Sequence, residues 1–342
     1  MKVLTFGEIM LRLSTPGYSR FVQAQSFDVT FGGGEANVAV ALANFGLESY
    51  FITKLPAHEI GQAAVNHLRR FGVKDDFIVR GGDRLGIYFL ETGASQRASK
   101  VIYDRANSAV CNLNKAELDW DRVFEGARWF HWTGITAALG SKAQACLREA
   151  CRAAKSNGAT VSCDLNFRKK LWSEKEARRV MVPMMEHVDV CIANEEDAEK
   201  SLGLQAAHTD VESAQLNEAA YFEVARTLKS RFHFKAVAIT LRESFSASHN
   251  GWSALLLDEA DCSEPYRSTR YDIQIVDRVG AGDAFAAGLI YGLLRKSSTR
   301  EALEFAVAAS CLKQTIPGDF NHVSVDEVEK LAQGGGSGRV ER

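Results

Sequence analysis

The chain has 342 residues, 46% of them apolar, which is ample for a substantial core in one large domain or two smaller ones. Its 41 basic and 43 acidic side chains leave a formal charge of -2. That balance excludes a basic stripe for nucleic acid and points to a small-molecule partner, and no apolar run approaches the length of a membrane span.

The N-terminal stretch Met1-Lys-Val-Leu-Thr-Phe-Gly-Glu8 enters strand-like sequence without a long apolar signal core, so a cytoplasmic chain is expected. A strand at Phe27 to Phe31 meets Gly32-Gly33-Gly34, and an Ala-rich helix from Glu35 to Phe45 follows, stopped by Gly46. The same grammar recurs as a strand at Ser49 to Thr53 and a helix from Ile60 to Phe71 capped by Gly72. Two later stretches break it. Leu85 to Glu91 and Ser99 to Asp104 flank the polar segment Thr92 to Ala98, as the arms of a hairpin do, and with the strand near Phe27 they predict a small second sheet.

Alternation then resumes. A helix from Ala143 to Ser156 precedes a strand from Ala159 to Asp164, a strand from Val188 to Ala193 precedes a helix from Glu195 to Leu202, and a helix from Phe222 to Phe232 precedes a strand from Ala236 to Thr240. Short apolar strands separated by helices predict an α/β fold: a doubly wound, mainly parallel sheet with helices on both faces, plus a small β-sheet lid. We expect one domain over 1–332, with the lid inserted from about 12–31 and 84–108, and a flexible glycine-rich tail over 333–342. The cysteines Cys111, Cys146, Cys151, Cys163, Cys191, Cys262 and Cys311 show no paired or metal-ligand spacing and are read as reduced, buried small hydrophobes.

In an open parallel sheet, ligands bind beyond the carboxyl ends of the strands. Three such ends carry polar clusters: Asp164-Leu-Asn-Phe-Arg168, which includes Asn166, then Asn194-Glu-Glu-Asp197, then Thr240-Leu-Arg242. Helix capping explains each of them singly.

The most informative stretch is Val276-Asp-Arg-Val-Gly-Ala-Gly-Asp-Ala-Phe-Ala-Ala-Gly288. Gly280, Ala281 and Gly282 open a helix over Ala284 to Leu294, whose first-turn N–H groups attract anions. A dinucleotide-binding signature fails because Phe285 stands at the last glycine position, and no P-loop occurs. Asp283 is then either a helix cap or a general base set beside an anion hole for a transferring phosphoryl group.

At this point the chain resembles the ribokinase-like (PfkB) carbohydrate kinases. Gly32-Gly-Gly-Glu-Ala-Asn-Val-Ala39 is similar to the first signature of that family and Asp277 to Gly288 to its second. The resemblance implies Asp283 as catalytic base, Gly280, Ala281 and Gly282 as anion hole and part of the ATP site, and Gly33, Gly34 and Asn37 as sugar ligands. It implies ATP and Mg2+ as well, with Asn194 in the family's Asn-x-x-Glu motif, although Asp197 here is one methylene short. The nucleotide loop departs from the family pattern, since Leu241 to Gly251 separates the strand ending at Thr240 from the next at Trp252 to Leu257. Thr240, Arg242 and Gly251 are the expected ATP-side residues there, beside Asn166 and Arg168. Asp277 is expected to help hold a monovalent cation such as K+.

Tyr88 and Tyr103 on the lid strands, with Arg105 and Arg168, resemble the 2-keto-3-deoxygluconate kinase branch, because a guanidinium matches the carboxylate of a sugar acid. Lid packing for the tyrosines and solvation for the arginines is the plainer alternative. A fructokinase, a ribokinase, or a sugar- or nucleotide-binding regulator without turnover are the rival functions, while a dehydrogenase fails on the placement of its glycines. The expected partners are a sugar acid and ATP, neither nucleic acid nor membrane, and a second copy of the chain through an exposed lid edge.

Overall fold

The computed structural model describes residues 1–204, 218–258 and 265–336. Cys262 and positions 337–342 of the expected tail lie outside the described residues. The strands in chain order are β1 Lys2–Phe6, β2 Met10–Ser14, β3 Asp28–Gly32, β4 Glu48–Leu55, β5 Ile78–Arg80, β6 Gly86–Glu91, β7 Lys100–Asp104, β8 Ala127–Thr133, β9 Thr160–Asp164, β10 Val190–Ala193, β11 Ala236–Ser246, β12 His249–Leu257, β13 Tyr266–Arg267 and β14 Tyr271–Gln274.

The large sheet runs β13-β12-β11-β10-β9-β8-β1-β4-β5, with β14 also paired to β12. From β11 to β5 every pair is parallel, and β12 joins antiparallel. Alternation along each strand divides the core in two. Leu4, Phe6, Phe130, Trp132, Cys191, Val237 and Ile239 point into one cluster, while Val3, Trp129, Val190, Ile192, Ala236 and Ala238 point into the other. Burial on both faces is why these strands read as continuous apolar runs. Removing each large side chain from water is worth roughly 1.5–3 kcal/mol.

The helix Ala281–Arg295 packs against the helix Thr299–Lys313 through small residues. A Cβ on Gly288 would stand 2.7 Å from Ala306 Cα, and one on Gly292 2.6 Å from Ala302 Cα. That close approach lets the two helix backbones pack directly against each other.

The second sheet is four-stranded, in the order β3-β2-β6-β7. β6 and β7 form the expected antiparallel hairpin, β3 joins through β2, and β2 runs parallel to β6.

One expectation is corrected. Leu241 to Gly251 is not a loop: β11 continues to Ser246, turns, and returns as β12 from His249. Its polar residues alternate on a half-exposed hairpin, and such alternation fits a strand as well as the all-apolar runs do. Among the described residues no helix is long and apolar enough to cross a membrane, and Cys111, Cys146, Cys151, Cys163, Cys191 and Cys311 are free thiols.

Candidate active site

A polar cavity of about 500 Å3 lies between the carboxyl ends of the large sheet and the small sheet. Asp283 stands half-buried in its wall at the start of the Ala281–Arg295 helix. Burial raises its pKa to about 6, Asp319 adds to the rise, and a hydrogen bond from Asn37 opposes it. Gly280 caps this helix in the left-handed region, φ 82°. A Cβ there would also stand 2.1 Å from Asp319 O, so only glycine fits. The first intrahelical bond runs from Ala284 N to Gly280 O at 2.9 Å, and Ala281 N reaches back to Arg278 O at 3.3 Å. The N–H groups of Gly282 and Asp283 precede any intrahelical acceptor and carry the positive end of the helix dipole.

The first glycine motif meets the second here. Asn37 Nδ2 donates to Asp283 Oδ2 at 2.6 Å, while Asn37 Oδ1 accepts from Gly33 N at 3.1 Å. Gly34 lines the same wall, where a Cβ would lie 3.6 Å from Asp283 Oδ1. Glu35 is buried and its Oε1 accepts from Thr133 N, Thr133 Oγ1 and Thr136 Oγ1. Desolvation still raises its pKa to about 7 against these bonds.

The small sheet forms the opposite wall. Tyr88 and Tyr103 are direct cross-strand partners, with ring centroids 6.0 Å apart. Tyr88 is buried and donates to Asp319 Oδ2, whereas Tyr103 is 40% exposed. Arg105 lines the cavity, yet its Nε donates to Glu8 Oε2 at 2.8 Å and its Nη2 to the same oxygen, so a buried carboxylate already matches its charge. Arg168 is exposed on the rim, and its hydrogen bond goes to Phe167 O at 3.1 Å.

Close to Gly280, Arg12 bridges two acids. It donates to Asp319 Oδ1 and, at 2.5 Å, to Asp277 Oδ2. Asp277 also accepts from Val279 N and Gly318 N, each at 3.0 Å.

At the sheet end, Asn166 takes φ 40°, a conformation asparagine tolerates, and donates to Asp164 Oδ2 at 3.2 Å. Its buried Oδ1 lacks a donor among the described residues. Burial, then Asp197 and Asp283, push the Asp164 carboxyl well above the ordinary range. Asn194 caps the helix Glu195–Leu202, accepting from Glu196 N and Asp197 N, and still lines the cavity. Among the described residues no group of three or more His, Cys, Asp or Glu is spaced for a metal ion. Asp164 and Asp197 fit Mg2+ instead, which takes one or two carboxylates together with phosphates and water.

Thr240 and Arg242 line the cavity as expected, with Asn250 and Trp252 opposite on β12. Gly251 does not. It sits inside β12 between two cavity-facing neighbours, and strand alternation turns it to the other face, against Arg270 and Glu243. The expected ATP-side role of Gly251 is thereby corrected.

Sequence reasoning missed Glu8, Arg12, Glu35, Asp319 and Lys313. Glu35 had a visible signal, a carboxylate inside a Gly- and Ala-rich helix start. The other four lie in two stretches, Glu8 to Arg12 and Lys313 to Asp319, with no motif of their own.

A mainly parallel sheet brings a late helix N-terminus and the Asp283 carboxylate to one polar cavity, an arrangement suited to phosphoryl transfer. Residues 1–322 match the model of the pfkB family carbohydrate kinases, and the chain belongs to that family. Its structure is similar to that of 2-dehydro-3-deoxygluconokinase from Thermotoga maritima, with 55% identity and a TM-score of 0.92 over 97% of this chain and 98% of that one. It is also similar to 2-dehydro-3-deoxygalactonokinase from Haloferax volcanii, 33% identical over 339 residues and 98% of each chain. The 2-dehydro-3-deoxygluconokinase of Bacillus subtilis is 26% identical over 97% of this chain and 94% of its own.

Proposed function

We propose that the protein transfers the γ-phosphoryl group of ATP to the 6-hydroxyl of 2-keto-3-deoxygluconate, giving ADP and the 6-phospho sugar acid. The observation that carries this reading is the placement of Asp283. A carboxylate with its pKa raised to about 6 adjoins helix N–H groups in a cavity also reached by Arg168, Tyr88 and Tyr103. Similarity to a 55% identical 2-dehydro-3-deoxygluconokinase supports the same substrate.

Asp283 takes the proton from the attacking hydroxyl, and Asn37 keeps the receiving carboxylate aimed. Gly280, Ala281 and Gly282 hold the negative charge that develops on the phosphoryl group through backbone N–H groups. Asn166, Arg168, Asn194, Thr240 and Arg242 line the ATP side at the strand ends. Asp164 and Asp197 would hold Mg2+, whose charge neutralises the phosphates. Gly33, Gly34, Asn37, Tyr88 and Tyr103 present the sugar, and the small sheet closes over it as a lid. Arg168 and Arg105 face the acid group. A desolvated charge-assisted bond is worth roughly 1.5–3 kcal/mol, a ten- to hundredfold preference over a neutral sugar. The edges of the lid sheet, where Val29 and Ile102 are exposed, are the surface on which a second copy would pair.

One observation favours a neutral-sugar kinase instead: Glu8 already neutralises Arg105, which leaves Arg168 to discriminate. A phosphorylation panel with ATP and Mg2+ over 2-keto-3-deoxygluconate, its galactonate epimer, fructose, ribose and adenosine tests the reading. Highest kcat/KM on a sugar acid supports it, and preference for fructose or ribose defeats it.

A further inference from the structure

Lys313 ends the helix Thr299–Lys313 with none of its surface exposed. An ammonium so buried is costly unless its donors are met. Its hydrogen bonds among the described residues go to main-chain carbonyls, Asp277 O at 3.0 Å and Ile316 O at 3.5 Å, and not to a carboxylate. The carboxylate of Asp277 is engaged elsewhere, by Arg12 and two backbone N–H groups.

Both carbonyls belong to segments that lead to Gly280. Asp277 opens the segment that reaches Gly280 three residues later, and Ile316 leads to Asp319, whose carbonyl packs against Gly280. Carbonyl oxygens gathered on one compact positive charge are the ligand set that replaces the water of a monovalent cation, and a lysine ammonium is such a point charge.

We propose that the Lys313 ammonium occupies the place of a free monovalent cation, as a positioning residue that clamps the Asp277 and Ile316 segments beneath Gly280, Ala281 and Gly282. The expected holding of K+ at Asp277 is then filled from within the chain, and the enzyme runs without K+. Burial lowers the pKa of Lys313, while Asp277, Asp319 and Asp283 oppose the fall and favour the charged form. The rate part of this inference rests on the phosphotransfer reading; the cation part does not.

The test uses the full chain in tetramethylammonium buffer with Mg2+, with and without added K+ or NH4+, reading both turnover and melting temperature. Wild type is expected to show neither activation nor stabilisation by K+. Lys313→Ala is expected to lose roughly ten- to hundredfold in kcat with a smaller change in KM. Added K+ or NH4+ restores most of that loss and raises the melting temperature of this variant. Lys313→Met fills the space with an apolar chain, so it is slow and is not rescued. Activation or stabilisation of wild type by K+ overturns the proposal, as does full activity in Lys313→Met. A Lys313→Ala protein that K+ fails to rescue, including one that stays unfolded in K+, overturns it as well. Absence of turnover on every sugar acid would defeat the substrate reading while leaving the melting measurements decisive.

Discussion

Asn37 Nδ2 donates to Asp283 Oδ2 at 2.6 Å, a bond that joins the two glycine motifs across 246 positions of chain. It fixes the direction of the Asp283 carboxylate. Asp283 lies in the first turn of its helix, but its side chain is turned to Asn37 and the cavity, and no cap bond is made from Gly280. Asp283→Asn keeps the shape and removes the proton acceptor. We expect kcat to fall roughly a hundredfold to ten-thousandfold with little change in ATP affinity, measured by steady-state kinetics and calorimetry. Near-normal turnover would refute the base assignment.

The same group sets the acid limb of the rate. Only the carboxylate accepts a proton, so kcat/KM should rise with pH through about 6 and level above it, following the raised pKa of Asp283. The bond from Asn37 lowers that pKa, so Asn37→Ala should move the limb to higher pH and lower the plateau. A limb at the ordinary carboxylate position in the free enzyme would contradict the burial of Asp283.

The two arginines should separate. Arg168→Ala gives up one main-chain contact on an exposed rim, so KM for the sugar acid should rise about tenfold to a hundredfold while thermal stability holds. Arg105→Ala strands the buried carboxylate of Glu8, which among the described residues keeps only a bond from Ser108, and should lower the melting temperature as well as binding. Equal effects of both variants on KM and stability would show that Glu8 does not distinguish them.

Gly280→Ala combines a left-handed backbone with a contact at 2.1 Å from Asp319 O. The backbone term alone costs about 1–2 kcal/mol, and relief of the contact must shift the anion hole. Denaturant unfolding should show the loss of stability, and kcat should fall more than KM for ATP rises. A variant with wild-type kcat would mean that the loop tolerates displacement.

Glu35 provides a stability test that is independent of turnover. Its pKa is about 7 in the folded chain against an ordinary value of 4.5. Below the unfolded value both states are protonated. Between the two values the unfolded state ionises first, so folding stability falls as pH rises, and the loss persists above about 7. Glu35→Gln removes that penalty and keeps an acceptor for Thr133 and Thr136, so it should stabilise the protein by roughly 1–3 kcal/mol at pH 8 relative to pH 4. Urea unfolding at the two pH values measures it, and a constant difference between variant and wild type would show that Glu35 carries no linked proton.

Much of the site was readable because its signals are local. Gly33, Gly34 and Asn37 are consecutive or one helical turn apart, and Gly280, Ala281, Gly282 and Asp283 are adjacent, so their order along the chain already implies a turn with exposed N–H groups. Asp164, Asn166, Asn194 and Thr240 were placed by the rule that parallel strands present their carboxyl ends together, and all four line the cavity. Gly251 failed for the opposite reason. Whether a polar stretch is a loop or a hairpin depends on the pairing of its own two arms and on a further strand, here β14, which the stretch does not itself contain.

The sequence by itself determined the α/β alternation and the two glycine motifs, with Asp283 set directly after the second, because apolar period, helix start and turn chemistry act over a few neighbouring residues. Only the tertiary structure decided that Glu8 neutralises Arg105, that Arg12 ties Asp277 to Asp319, and that Lys313 is buried against the main chain of Asp277. Those charges come from segments up to 307 positions apart. Their pairing is a property of burial: an ionised group taken out of water must find its counterpart wherever the fold has placed one.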